Sequence, residues 1–147
     1  MTKVLKTKTE IKYSFIKKSG KYEQVLITKY IYRYDDNGNH IEDDWYDADG
    51  KLKLKYLFKY DDRGNRIERV QYDADGKLIG KLLPKYDDRG NQIEKASYDA
   101  DDKLEWKNPY KYKYDDNGNM TEQVEYVIRE GKEVMQYQTV WEYEFYP

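Results

Sequence analysis

Cysteine is absent from the 147 residues, histidine occurs once, and the only serines are Ser14, Ser19 and Ser97. The first absence excludes a disulfide framework and a thiolate metal site. The scarcity of the others leaves no nucleophile paired with a base, so no enzyme is expected. No apolar run approaches the ~18 residues of a membrane span. The lysine-rich start lacks the hydrophobic segment of a signal peptide, so the chain reads as cytoplasmic, with no membrane partner. Charge of one sign is also missing overall: Lys+Arg 27 against Asp+Glu 29 gives a net charge of −2, which predicts no general attraction to nucleic acid.

The charge that is present is uneven. Residues 1–30 hold eight Lys and two Glu, a net of +6, whereas residues 119–147 hold six Glu against Arg129 and Lys132, a net of −4. Hydrophobic residues make up only 38%, yet aromatics reach 16% because Tyr contributes 18 residues. Tyrosine is therefore the expected core-former, and its hydroxyls need partners.

Two phrases recur. Tyr34-Asp35-Asp36-Asn37-Gly38-Asn39 returns from Tyr60, Tyr86 and Tyr114, at intervals of 60−34 = 26, 86−60 = 26 and 114−86 = 28 residues. Between its copies lies Tyr46-Asp47-Ala48-Asp49-Gly50-Lys51-Leu52, repeated from Tyr72 and, with Asp102 replacing the glycine, from Tyr98. Such self-similarity marks a repeat array. Asp at the first position and Gly at the fourth suit a type I turn closed by a left-handed residue, a hairpin connection. Each 26-residue unit thus predicts two antiparallel strands, and further turns at Lys18-Ser19-Gly20 and Glu130-Gly131-Lys132 bring the total to about ten, from residues near 3–17 to 133–146. The expected fold is all-β: an antiparallel meander of repeated hairpins, strongly twisted and rolled or barrel-like so as to bury its tyrosines, with an open single-layer sheet as the alternative. The whole chain reads as one β-repeat domain, with repeats over 31–126 and caps over 1–30 and 127–147.

Carried outward from the turn at Asp61, simple pairing sets Tyr60 against Arg66, Phe58 against Glu68, Tyr56 against Val70 and Leu54 against Tyr72. That register collects Tyr46, Tyr56, Tyr72, Tyr86, Tyr98, Trp106, Tyr112 and Tyr126 on one face, together with Glu42, Glu68, Glu94 and Glu122. Lys53, Lys55, Lys59, Arg69 and Lys95, with a single Ile per repeat at Ile41, Ile67 and Ile93, fall on the other. Pro84, Pro109 and Gly80 predict local bulges.

The phrases at Tyr34 and Tyr60 resemble the Tyr-Asp-x-x-Gly-Asn core of YD repeats, also called RHS repeats, over about residues 30–126. The resemblance implies a β-hairpin spiral, which in large family members forms a shell around a toxin or an extracellular adhesive surface. Here the period of 26 residues and the two Asp-rich turns per unit depart from the family pattern.

Candidate binding residues follow from these patterns. The acidic turns Asp35, Asp36, Asp61, Asp62, Asp87, Asp88, Asp115 and Asp116 offer phosphate-like charge to a basic cleft. Their aspartates are accounted for by bonds to nearby backbone amides; an EF-hand's twelve-residue ligand spacing is absent, so no calcium, other metal or cofactor is expected. The Glu42, Glu68, Glu94 and Glu122 row, expected to bond tyrosine hydroxyls, His40 or Arg66, could instead grip a sugar beside Tyr56, Tyr86, Trp106 and Tyr112. His40 stands where Arg66, Gln92 and Met120 stand in the other repeats and reads as a variable strand residue. The leading expectation is a non-enzymatic protein-interaction module, such as a small inhibitor or adaptor docking on a bacterial or phage-defence nuclease. The alternative is a carbohydrate-binding module with a Tyr/Trp/Glu-lined concave face. Unpaired end strands would also let copies join edge to edge.

Overall fold

The structure is a computed structural model, described here over residues 5–144. Strands β1 (Thr7–Lys18), β2 (Lys21–Tyr34), β3 (His40–Tyr46), β4 (Leu52–Tyr60) and β5 (Arg66–Asp73) are followed by β6 (Leu78–Tyr86), β7 (Gln92–Asp99), β8 (Leu104–Tyr114), β9 (Met120–Arg129) and β10 (Lys132–Val140). The expected starts and ends near residues 3 and 146 lie outside the described residues. Strand order follows chain order from β1 to β10. The meander is therefore as expected, and the strand order does not close into a barrel, in keeping with the open-sheet alternative. The chain divides into two compact units, Met1–Lys81 and Leu82–Pro147, with the boundary inside β6.

The aspartates make the turns. In the first, Asp35 N–H donates to the Asn39 carbonyl (2.9 Å) and Gly38 N–H to the Asp35 carbonyl (3.0 Å). The Asp35 carboxylate accepts the N–H groups of Asn37 (2.9 Å) and Asn39 (2.8 Å) and the Asn39 side-chain amide (2.9 Å). Asp61, Asp87 and Asp115 repeat this arrangement, and Asp47, Asp73 and Asp99 repeat its backbone part. The closing residue sits at positive φ, +83° at Gly64, which explains the glycine. Asp102, in the glycine's place, adopts φ 60°, a conformation that Asp tolerates better than most residues.

Beyond the Asp-rich turns the register departs from simple pairing. Tyr60 does face Arg66, but the next pair is Lys59 with Glu68, leaving Ile67 as an extra residue; then come Leu57 with Val70, Lys55 with Tyr72 and Leu54 with Asp73. The expected pairs Phe58 with Glu68, Tyr56 with Val70 and Leu54 with Tyr72 are thus wrong by one residue. The same shift leaves out Ile41, Thr121, Lys53 and Glu105 in other hairpins. In these hairpins the bulges therefore lie beside the turns, and the β7–β8 pairing ends at Pro109, opposite Glu94. The physical reason lies in the glutamate. Unshifted, Glu68 would lie among aromatic rings and away from Lys59; one extra residue returns it to the lysine side.

The shift also divides the tyrosines. In the first unit one face carries Tyr30, Tyr32, Trp45, Leu54, Tyr56 and Phe58, while Tyr46 and Tyr72 stand on the other face with Lys29 and Lys55. In the second unit Trp106, Tyr110, Tyr112 and Tyr114 share a face, and Tyr98 and Tyr126 lie with the lysines. Placing Tyr46, Tyr72, Tyr98 and Tyr126 with the other aromatics was therefore incorrect, as was placing Arg69 and Lys95 with the lysines: Arg69 pairs with Phe58, and Lys95 with Asn108 on the side of Trp106.

Candidate functional site

The lysine-bearing face is an ion ladder. In the first unit Glu42 receives Arg33 from β2 (2.5 Å) and Lys55 from β4 (2.6 Å), and Glu68 pairs with Lys59. In the second, Glu94 lies between Lys85 (2.8 Å) and Lys107, and Glu122 pairs with Lys113 (2.9 Å) and accepts Gln138 (3.1 Å). All four glutamates are therefore opposite to the face expected for them, bonded to lysine or arginine. The spacing carried the signal: each glutamate follows a cation by nine residues, as 42−33, 68−59, 94−85 and 122−113 show. Burial, the largest influence, pushes the Glu94 carboxyl up, but Lys107 and Lys85 together hold it below its ordinary value.

Beneath the ladder one position repeats as the most buried of each unit. Val70, Ala96 and Val124 are 7%, 2% and 3% exposed, and Asp44, in the same place, is 3% exposed. A carboxylate there requires compensation. Arg33 donates to Asp44 Oδ2 at 2.7 Å, and Lys55 Nζ lies 3.2 Å from Oδ1, an atom with no aligned hydrogen bond. Arg33, Glu42, Asp44 and Lys55 thus form a neutral four-charge cluster, and the contact with Asp44 raises the affinity of the Arg33 guanidinium for its proton.

On the aromatic face of the first unit, Tyr30 lies nearly parallel to Tyr32 and to Trp45, with ring centres 6.1 and 6.4 Å apart. His40 is surrounded by Tyr32, Tyr34 and Phe58, and its Nε2 meets Asp43 Oδ1. Burial raises the Asp43 carboxyl above its ordinary value despite the opposing histidine. The Arg66 guanidinium lies 4.4 Å from the centre of the Phe58 ring, and that of Arg69 lies 5.4 Å from Tyr56, both within cation–π range. In the second unit Tyr112 donates to the Gln92 carbonyl (2.5 Å), as Tyr60 donates to His40's (2.7 Å) and Tyr143 to Met120's (2.7 Å). The repeat therefore uses this position's carbonyl, which leaves its side chain free to vary. The acid on this face is Glu125, which accepts Asn108 Nδ2 at 3.1 Å.

The first aspartate of each turn is occupied by its own loop, and its carboxyl lies below the ordinary value, chiefly through the Asn amide at Asp35, Asp61, Asp87 and Asp115. The second, Asp36, Asp62, Asp88 or Asp116, is exposed. Of the aromatic candidates, Trp106 and Tyr112 share a face in the second unit and Tyr56 lies in the first; Tyr86 ends β6. Among the described residues no His, Asp and Glu group has a metal-holding arrangement, and no helix is long and apolar enough to cross a membrane.

The end hairpins were not singled out residue by residue from the sequence. Ile11, Tyr13 and Phe15 alternate along β1 and are exposed, as are Tyr22 on β2 and Val134, Met135, Tyr137 and Val140 on β10.

No family model matches the chain, and no curated protein matches it in sequence. Among solved structures, a protein of unknown function from Bacteroides fragilis is similar over 90% of this chain and 93% of its own, at 15% identity and a TM-score of 0.41. A porin-like protein from Bacteroides uniformis is similar over 90% and 76%, at 14% identity and a TM-score of 0.43. The Photorhabdus luminescens Tc holotoxin pore is similar over 80% of this chain and 9% of its own, at 16% identity and a TM-score of 0.29. Likenesses of this size bear on neither activity nor partner.

Proposed function

We propose that the chain is a non-enzymatic protein-interaction module that docks through its end hairpins. The observation that supports this most is the contrast in apolar exposure. Strands β3 to β7 expose only Ile67, Ile79 and Ile93 among large apolar residues, whereas β1 exposes Ile11, Tyr13, Phe15 and Ile16 and β10 exposes Val134, Met135, Tyr137 and Val140. Scattered single residues are ordinary on a surface, but a contiguous apolar row on an unpaired edge suits strand addition by a partner. The exposed aspartates of the turns add a negative rim that would steer a basic partner. The YD-repeat resemblance fits a hairpin array serving as the rigid support.

Affinity capture from nuclease-treated bacterial lysate tests this reading, with the wild type compared with Phe15→Glu and Tyr137→Glu. A stoichiometric protein held by the wild type and lost with either variant is the expected result. Recovery of glycan alone, unaffected by both variants, would overturn it and favour sugar binding, for which the flat Tyr30–Trp45 pair beside Asp43 would be the platform.

A further inference from the structure

We propose that the free edge of β1 in one copy receives the free edge of β10 in a second copy, antiparallel, so that chains join head to tail. This rests on the end-hairpin reading above and names the partner as a second copy of this chain. The argument begins at the two end turns. Ser19-Gly20 and Glu130-Gly131 are two-residue turns with φ of 50° and 82°, and of 50° and 74°. These are the conformations of a type I′ hairpin. The flanking residues, Lys18 with Lys21 and Arg129 with Lys132, are therefore hydrogen-bonded pairs. Alternate residues must then aim their backbone N–H and C=O the other way. On β1 these are Lys17 and Phe15; on β10 they are Glu133 and Met135.

An antiparallel register that sets the two turns side by side places Lys17 opposite Glu133, Ile16 opposite Val134 and Phe15 opposite Met135. The outward amides match outward amides, the apolar residues meet apolar residues, and Phe15 and Met135 are 65% and 54% exposed in the single chain. Charge selects this pairing over like with like. Residues 7–18 hold Lys8, Lys12, Lys17 and Lys18 against Glu10, a net of +3; residues 130–144 hold Glu130, Glu133, Glu142 and Glu144 against Lys132, a net of −3. Two β1 edges, or two β10 edges, would repel. The β10 bulge at Gln136 lies beyond this register, which runs only to Met135. Such a contact is heterologous, so each added copy still presents a free edge and the assembly grows past a dimer.

The absence of native cysteine makes the test clean. Phe15→Cys and Met135→Cys proteins are oxidised separately and as a mixture, and the disulfide dimer is measured. We expect about tenfold more dimer in the mixture than in either protein alone, because only the mixed pair juxtaposes the thiols at ~5.5 Å between Cα atoms. Adding Lys17→Glu to the first protein should lower the yield, and adding Glu133→Lys to the second should restore it. Sedimentation of the wild type should show mass rising with concentration and falling with added salt. Dimer formed as readily by Phe15→Cys alone would overturn the head-to-tail arrangement, as would a wild type that stays monomeric at every concentration. A monomeric wild type that still captures a foreign protein through Phe15 and Tyr137 would remove this inference and leave the interaction-module reading standing.

Discussion

Asp44 and Val70 occupy the same place in consecutive repeats, 70−44 = 26 residues apart, and are equally shut off from solvent at 3% and 7% exposure. A valine there needs only neighbours; the aspartate needs Arg33 and Lys55. Removing one partner of a buried pair costs more than replacing the pair with apolar groups. Arg33→Met should therefore destabilise the protein by about 2 kcal/mol, at the modest end because Arg33 is partly exposed. The double variant Arg33→Met, Asp44→Val should recover most of that loss. Urea unfolding of the two singles and the double tests the coupling; additive effects would show that the cluster does not act as a unit.

The turn at Asp61 offers a second test. A methyl group added at Gly64 would meet nothing within 4 Å, so space is not limiting, but its φ is +83°. Gly64→Ala should cost about 1 kcal/mol through backbone strain alone, and Gly64→Asn less. Thermal unfolding reads both, and equal losses would argue against the backbone explanation.

Acid should weaken these same turns. The carboxyls of Asp35, Asp61, Asp87 and Asp115 lie below the ordinary 3.8 in the folded chain. Their contribution is therefore present above that value and is lost as pH falls through the folded values. The melting temperature should drop below about pH 4, and less steeply in Asp61→Asn, which keeps an acceptor oxygen but has nothing to protonate.

Alkali should act on Tyr112. Burial foremost, then Tyr110, Asp87 and Tyr114, push its hydroxyl from 10.0 to about 12. A raised value means stability that is complete below pH 10 and is lost as pH climbs through the folded value. Tyr112→Phe should remove this part of the alkaline decline while losing the bond to the Gln92 carbonyl at neutral pH. Urea unfolding followed from pH 8 to pH 12 reads both effects.

Calcium should leave the melting temperature unchanged, because Oδ1 of Asp47 and Asp73 accepts the N–H groups of its own turn. A rise of several degrees on titration would show that the turns recruit the ion.

The repeat phrases, with the end turns at Ser19-Gly20 and Glu130-Gly131, by themselves determined about ten strands and their turns, because Asp at the head and Gly at the left-handed position act within five residues and need no tertiary context. The side of the sheet that each residue faces was another matter. A strand's face depends on the parity of every residue since the turn, and one unpaired Ile41 or Ile67 reverses it. Nothing local to Ile67 announces that bulge. It is favoured because Glu68 gains Lys59 across the ladder and avoids the rings of Tyr56 and Phe58, an energy that exists only once strands are paired. Closure was likewise beyond the sequence: the strand order begins at β1 and ends at β10, and apolar residues are exposed on both.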